Sequence, residues 1–224
     1  METRPQWPPS LRAAPFDTPS IVMKPDITFS LAATGDSFIT RRLPEGDPES
    51  RRIEALISRS AFRFTNLETT VRLDNEGYPA AQSGGTWATT SPEALRDLQA
   101  YGFNAVSWAT NHTLDYSHGG LEATLHHLAA SGLAHAGAGR TLAEAASPRY
   151  IESQNGRVAL IAATSTFHES WIAGNPRPEI GGRPGVNPLR FTTHHRVSAA
   201  RLSELRAIAR QCALNAAHDL SVYE

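Results

Sequence analysis

Three short polar groups in this chain follow apolar runs that read as buried strands: Gly35-Asp36, Asn66-Leu67-Glu68 and Asn111-His112. In an open α/β sheet the carboxyl ends of the strands form the ligand crevice, so groups in these positions converge there. Two carboxylates, a carboxamide oxygen and an imidazole form a ligand set suited to hard or borderline divalent ions such as Mn²⁺, Fe²⁺, Zn²⁺ or Mg²⁺. Without an ion, two carboxylates that close repel each other, and one is driven toward protonation. The candidate ligands are therefore Asp36, Glu68, Asn111 and His112.

The same residue types have structural uses. Aspartate after glycine is a common turn residue. Glu68 can pair with an arginine such as Arg72, and Asn111 and Asp115 can serve as turn or capping residues ahead of a helix. Their occurrence together at three strand ends favours the ligand reading. His168, in STFHES at a strand end, is the one further histidine placed to reach the crevice. His118, His126, His127, His135, His194 and His195 lack an evident carboxylate partner and read as structural or solvent-facing. Arg183 either positions an anionic substrate group or fixes a turn in its own loop. Trp87, Trp108 and Trp171 read as packing residues.

The elements that would position these groups are legible from pattern. ITFSLAAT, residues 27 to 34, is an apolar β-rich run that stops at Gly35-Asp36. Asp47-Pro48 supplies a cap and a first-turn proline for a helix through Ile53, Leu56 and Ile57. A second strand runs from Phe62 to Thr65. Residues 72 to 90 carry turn residues without a period and read as a long loop. Ser91-Pro92-Glu93 opens a helix that Gly102 closes, and FNAVSWAT is a third strand. A helix from Gly119 to Ser131 stops at Gly132. Thr141 to Glu144 has capping-box spacing, and Asn155-Gly156 marks a hairpin turn before the apolar strand of residues 157 to 163. Residues 168 to 190, rich in proline and glycine, read as an irregular site-facing loop. A final amphipathic helix spans about 193 to 214. This alternation predicts an α/β fold with a largely parallel sheet.

The 224 residues suffice for one sizeable domain, expected over residues 26 to 224 behind a proline-rich extended leader at 1 to 25. The 21 basic and 22 acidic residues are interspersed, which gives no sign of a nucleic-acid partner. Cys212 is the only cysteine, so thiolate zinc sites and an internal disulfide are excluded. No apolar run is long enough for a signal peptide or a membrane span, and a cytoplasmic chain is expected.

TGDSFI, NLETTV, ATNHTLDYSHGGLEATLHHLAASGLAHAGAG and GRPGVNPLR resemble, in order and spacing, the blocks of the CapA-like family of poly-γ-glutamate capsule synthesis proteins. That family lies within the calcineurin-like metallophosphoesterase superfamily, and the resemblance runs from about Ile27 to Arg190. It implies a metallophosphatase-like α/β/β/α sandwich with a metal site at the strand ends. It also implies that Asp36 and Glu68 match acidic metal ligands, that Asn111 matches the carboxamide ligand, and that His112 matches the catalytic general acid. Asp115 and Tyr116 belong to the same block and are expected to hold its loop. The implied substrate is an anionic small molecule or polyanionic polymer, and relatives linked to capsule are often membrane-anchored, which makes cell-envelope association an alternative location.

The chain departs from the family pattern twice. Thr110-Asn111-His112 stands where the family has Asn-Asn-His, which keeps the matching ligand. The family's later Gly-His-His-Pro-His motif has no counterpart, so the domain is expected to be C-terminally incomplete and the metal under-ligated. Three functions follow as expectations: a metal-dependent hydrolase in capsule metabolism, a non-catalytic capsule-assembly or polyanion-binding component, and an inactive fragment.

Overall fold

A computed structural model describes residues 29–42 and 46–213. In chain order the elements are β1 (Leu31–Ser37), α1 (Pro48–Ile57), β2 (Phe62–Leu67), β3 (Thr70–Val71), β4 (Thr89–Thr90), α2 (Glu93–Ala100) and β5 (Ala105–Ser107). They continue with α3 (Ser117–Ser131), β6 (Ala134–Ala136), β7 (Ala138–Gly139), α4 (Leu142–Ala145), β8 (Arg149–Ser153), β9 (Gly156–Leu160), β10 (Gly185–Val186) and α5 (Ala199–Gln211). The expected leader over 1 to 25 lies outside the described residues, as do Ile27 and Thr28 of the first expected strand and Leu214 of the last expected helix.

Several helix boundaries have a local cause. Asp47 accepts a hydrogen bond from the Ser50 backbone N–H at 2.9 Å, and Pro48 is the first residue of α1. Helix α3 ends at Gly132, whose φ of 78° is left-handed. At α4, Thr141 caps the Glu144 N–H while the Glu144 carboxylate reaches back to the Arg140 N–H. The cap expected from Ser91 at α2 is not formed: Pro92 is the cap residue and makes no side-chain cap bond.

Helices α1, α2 and α3 serve as crossovers between parallel strands, and the sheet runs in the order β1-β2-β5-β6. Three two-stranded ladders accompany it: β3-β4, β7-β10 and the antiparallel hairpin β8-β9. The period of two along the strands divides the core. Phe62, Ala105 and Ala136 pack with Leu160 and Ala162 beside the hairpin. Leu67, Val106 and Leu133 pack on the other side with Ile57, Leu95, Leu98, Leu121, Leu125 and Leu128 from the three helices. Burying one leucine contributes about 1.5–3 kcal/mol, so the leucine-rich helical side stabilises the sheet more than the alanine-rich side does.

The strand expected at 27 to 34 continues through Gly35-Asp36 to Ser37, because the backbone stays paired with β2. Residues 72 to 88 form the expected loop, closed at its base by pairing of Thr70 with Thr89 and Val71 with Thr90. The loop after Ser165 is tied by bridges between Ile172 and Val186 and between Gly174 and Arg183. Helix α5 buries none of its residues, and Leu202, Leu205 and Ile208 are exposed. No helix among the described residues is long and apolar enough to cross a membrane.

Candidate functional site

The strand ends carry a row of polar side chains in register. Asp36 lies opposite Asn66, and Asn66 lies opposite Ser107. Glu68 is two residues beyond Asn66, which in an extended backbone returns it to the same face. A β-bulge brings Asp36 into this row. Ala33 pairs with Phe64, and a regular ladder would then set Gly35 opposite Asn66; one extra residue in β1 sets Asp36 there instead. Thr65, fully buried on β2, pins the bulge. Its hydroxyl donates to the Gly35 carbonyl at 3.0 Å and receives the Thr34 hydroxyl at 2.9 Å, with Ser37 Oγ 2.6 Å away.

Asn66 links the two carboxylates. Its Nδ2 donates to Asp36 Oδ1 at 2.9 Å and to Glu68 Oε2, while its Oδ1 accepts from the Ser107 hydroxyl at 2.5 Å. Burial pushes the Glu68 carboxyl above its ordinary range, and the charge of Asp36 adds to the effect; His112 and the Asn66 amide pull it back without cancelling it. Glu68 therefore experiences the carboxylate conflict expected from the sequence.

The second half of the site is His112 with Asp115. The His112 Nδ1 and Asp115 Oδ2 lie 2.7 Å apart, and both side chains are buried. An ionised carboxylate only accepts, so Nδ1 carries the proton in this bond and Nε2 is left for other chemistry. Asp115 also accepts the backbone N–H of Ala88 at 2.7 Å and of Gly84 at 3.3 Å. It holds the loop, as expected, and the imidazole as well. The Thr70 hydroxyl donates to the His112 carbonyl at 2.9 Å, and the Phe38 ring meets the imidazole edge-on at 5.4 Å between centroids.

Asn111 sits at the rim. Its Nδ2 donates to the Gly84 carbonyl at 3.3 Å, which leaves Oδ1 with no partner among the described residues. Arg183 Nε donates to the Ile172 carbonyl at 2.8 Å and so fixes its own loop. His168 caps the 3₁₀ turn Glu169–Trp171, with its Nδ1 2.8 Å from the Ser170 hydroxyl. Arg72, a possible partner of Glu68, bonds instead to the carbonyls of Leu73 and Glu76 and lies over the Tyr116 ring. The expectation that His127 lacks a carboxylate partner is corrected, since its Nε2 is 2.8 Å from Glu76 Oε2. Asn66 and Ser107 were not singled out from sequence; strand register, which composition does not encode, makes them part of the site.

The donors fit a divalent ion in type. Two carboxylates share one amide, one of them is destabilised in its charged form, and a free carboxamide oxygen stands at the rim. In number they fall short of a full set: among the described residues no three His, Cys, Asp or Glu side chains converge as one metal-holding group.

A protein-family model described as bacterial capsule synthesis protein PGA_cap matches residues 30–220. The uncharacterized proteins y4sH and y4uA of Sinorhizobium fredii (strain NBRC 101917 / NGR234) are each 37% identical to this chain over 184 residues. The match covers 80% of this chain, and the chain spans about 40% of the length of these curated relatives.

Proposed function

Because the chain belongs to the bacterial capsule synthesis protein PGA_cap family, we propose that the crevice at the ends of β1, β2 and β5 is a metal-dependent hydrolase centre serving capsule metabolism. The carrying observation is the Asp36–Asn66–Glu68 arrangement, in which a half-buried carboxyl, disfavoured in its charged form, shares a single amide with a second carboxylate. A cation relieves that conflict better than an amide does. The arrangement of helices, parallel sheet and hairpin supports the metallophosphatase-like α/β/β/α sandwich as the full architecture.

Asp36, Glu68 and the Asn111 Oδ1 would hold the ion, drawn from Mn²⁺, Fe²⁺, Zn²⁺ or Mg²⁺. The bound ion would supply Lewis acidity at a water and at the scissile bond. His112 is the general acid: Asp115 fixes its Nδ1 proton and stabilises the imidazolium, and Nε2 delivers a proton to the leaving oxygen or nitrogen. Phe38 and the loop that buries Asp115 shield this pair from water, which strengthens its electrostatics. The substrate is an anionic small molecule or polyanionic polymer with an ester or amide bond.

The test is metal titration of the purified chain followed by calorimetry and thermal melting, beside Asp36→Ala and Glu68→Ala. Stoichiometric binding that raises the melting temperature in the wild type and is lost in both variants is the expected result. Equal binding in all three chains would refute the assignment. A second reading, a non-catalytic polyanion-binding component, is favoured by the absence of a three-residue metal group among the described residues. It predicts polymer binding that does not depend on added metal.

A further inference from the structure

A cavity of about 340 Å³ opens between the loop that Asp115 holds and the start of α3, and neither the metal nor the proton-transfer roles use it. Its walls are the segment from Tyr78 to Gln82, the start of α3 at Ser117 and His118, and the group His168, Ser170 and Trp171. The wall is tied directly to the site: the Ala80 N–H donates to the Asp115 carbonyl at 2.9 Å, and the carboxylate of the same Asp115 holds His112. It is also rigid at its base. Gly77 has a φ of 74°, and a Cβ there would come within 2.5 Å of the Gly120 nitrogen, so the loop packs backbone to backbone on α3.

The chemistry of the lining selects its ligand. No Asp, Glu, Lys or Arg lines the cavity, so neither an ammonium group nor a polyanion finds a fixed counter-charge. What the walls offer is ring faces and neutral hydrogen-bonding groups. Trp171 is buried beside His168, with ring centroids 6.3 Å apart, while Tyr78 is 72% exposed and stands free to cover a ligand. The Ser170 N–H donates to His168 Nδ1, so the neutral imidazole carries its proton on Nε2, a donor without a partner among the described residues. Gln82 adds an amide. A pyranose ring matches this pattern: its C–H face packs on an aromatic face, and its hydroxyls both donate and accept. The volume suits one or two such rings.

The geometry points to this cavity as a glycosyl subsite, which binds an uncharged sugar unit beside the loop that Asp115 holds. Sugar binding there needs neither metal nor His112.

The test is titration of the purified chain with cellobiose, chitobiose and a γ-linked glutamate pentamer, followed by saturation-transfer NMR and tryptophan fluorescence. At least one disaccharide is expected to bind saturably. Its affinity is expected to fall about fivefold or more in Tyr78→Ala and in His168→Ala, since each removes one ring face. Tyr78 is exposed and makes no cap, so the melting temperature of Tyr78→Ala should stay unchanged and separate lost contacts from lost fold, whereas His168→Ala also removes the cap of the 3₁₀ turn. Asp36→Ala should bind the disaccharide normally even where its metal response is lost, so a failed hydrolase reading leaves this result intact. No saturable disaccharide binding, undiminished binding in either ring variant, or binding of the glutamate pentamer alone would overturn the assignment.

Discussion

Replacing Asp115 with alanine should be the most destabilising single change at the site. The carboxylate is fully buried and accepts three hydrogen bonds, at 2.7 Å from Ala88 N, 2.7 Å from His112 Nδ1 and 3.3 Å from Gly84 N. Hydrogen bonds to a charged group contribute about 1.5–3 kcal/mol each. The longer Gly84 bond lies at the weak end, and Ala88 is too buried for water to replace its acceptor. The expected loss is about 3–5 kcal/mol, a large share of the roughly 5–15 kcal/mol that holds a domain together. Asp115→Asn keeps one oxygen able to accept from both Ala88 and His112, and should cost only about 1 kcal/mol. Urea denaturation at constant m-value reads both numbers. A cost below about 1 kcal/mol for the alanine variant would show that the carboxylate does not hold the loop, and the account of how His112 is positioned would fall with it.

Other expectations follow from the same contacts. Thr65→Val keeps the side-chain volume but removes the hydroxyl that pins the bulge; stability should fall by about 1 kcal/mol while the metal-induced rise in melting temperature is lost, and a retained rise would clear Thr65 of that role. Glu68 has a folded pKa above its unfolded value, so its protonation favours the fold; that contribution is present at acid pH and lost as pH rises through the folded value. Glu68→Gln should therefore gain stability relative to wild type as pH rises above the ordinary carboxylate range in chelator, a trend that paired melts would either find or deny. Gly77→Ala places a Cβ against the Gly120 backbone at a left-handed φ and should cost about 1–3 kcal/mol, which a denaturation midpoint would report.

Much of this arrangement was legible from residue types. The apolar runs ending in Asp36, Glu68 and His112 did become parallel strands that bring their polar ends together, because a buried strand flanked by helical periods has few other places to go. The caps at Asp47 and Thr141 and the hairpin after Ser153 were equally readable, since each depends on neighbours within four residues. What escaped depends on pairing between distant segments. Asn66 was visible as a polar residue, but its position between two carboxylates follows from the register of β1 against β2 and of β2 against β5. Ser107 gave no signal at all. His127 was read as unpaired because Glu76, its partner, lies 51 residues away in the chain.

The bulge in β1 also bears on how the site tolerates changes in chain length. Thr34 and Gly35 together oppose Thr65 alone, so the strand carries one residue more than its neighbour needs. A chain that lacks Gly35 can pair Thr34 with Thr65 and still set Asp36 opposite Asn66, now in an unbroken ladder. A sequence without the glycine before this aspartate therefore retains the carboxylate of the site, and the Gly-Asp pair alone is an unreliable marker of it among distant relatives. The aspartate opposite the Asn-Leu-Glu asparagine is the feature to follow.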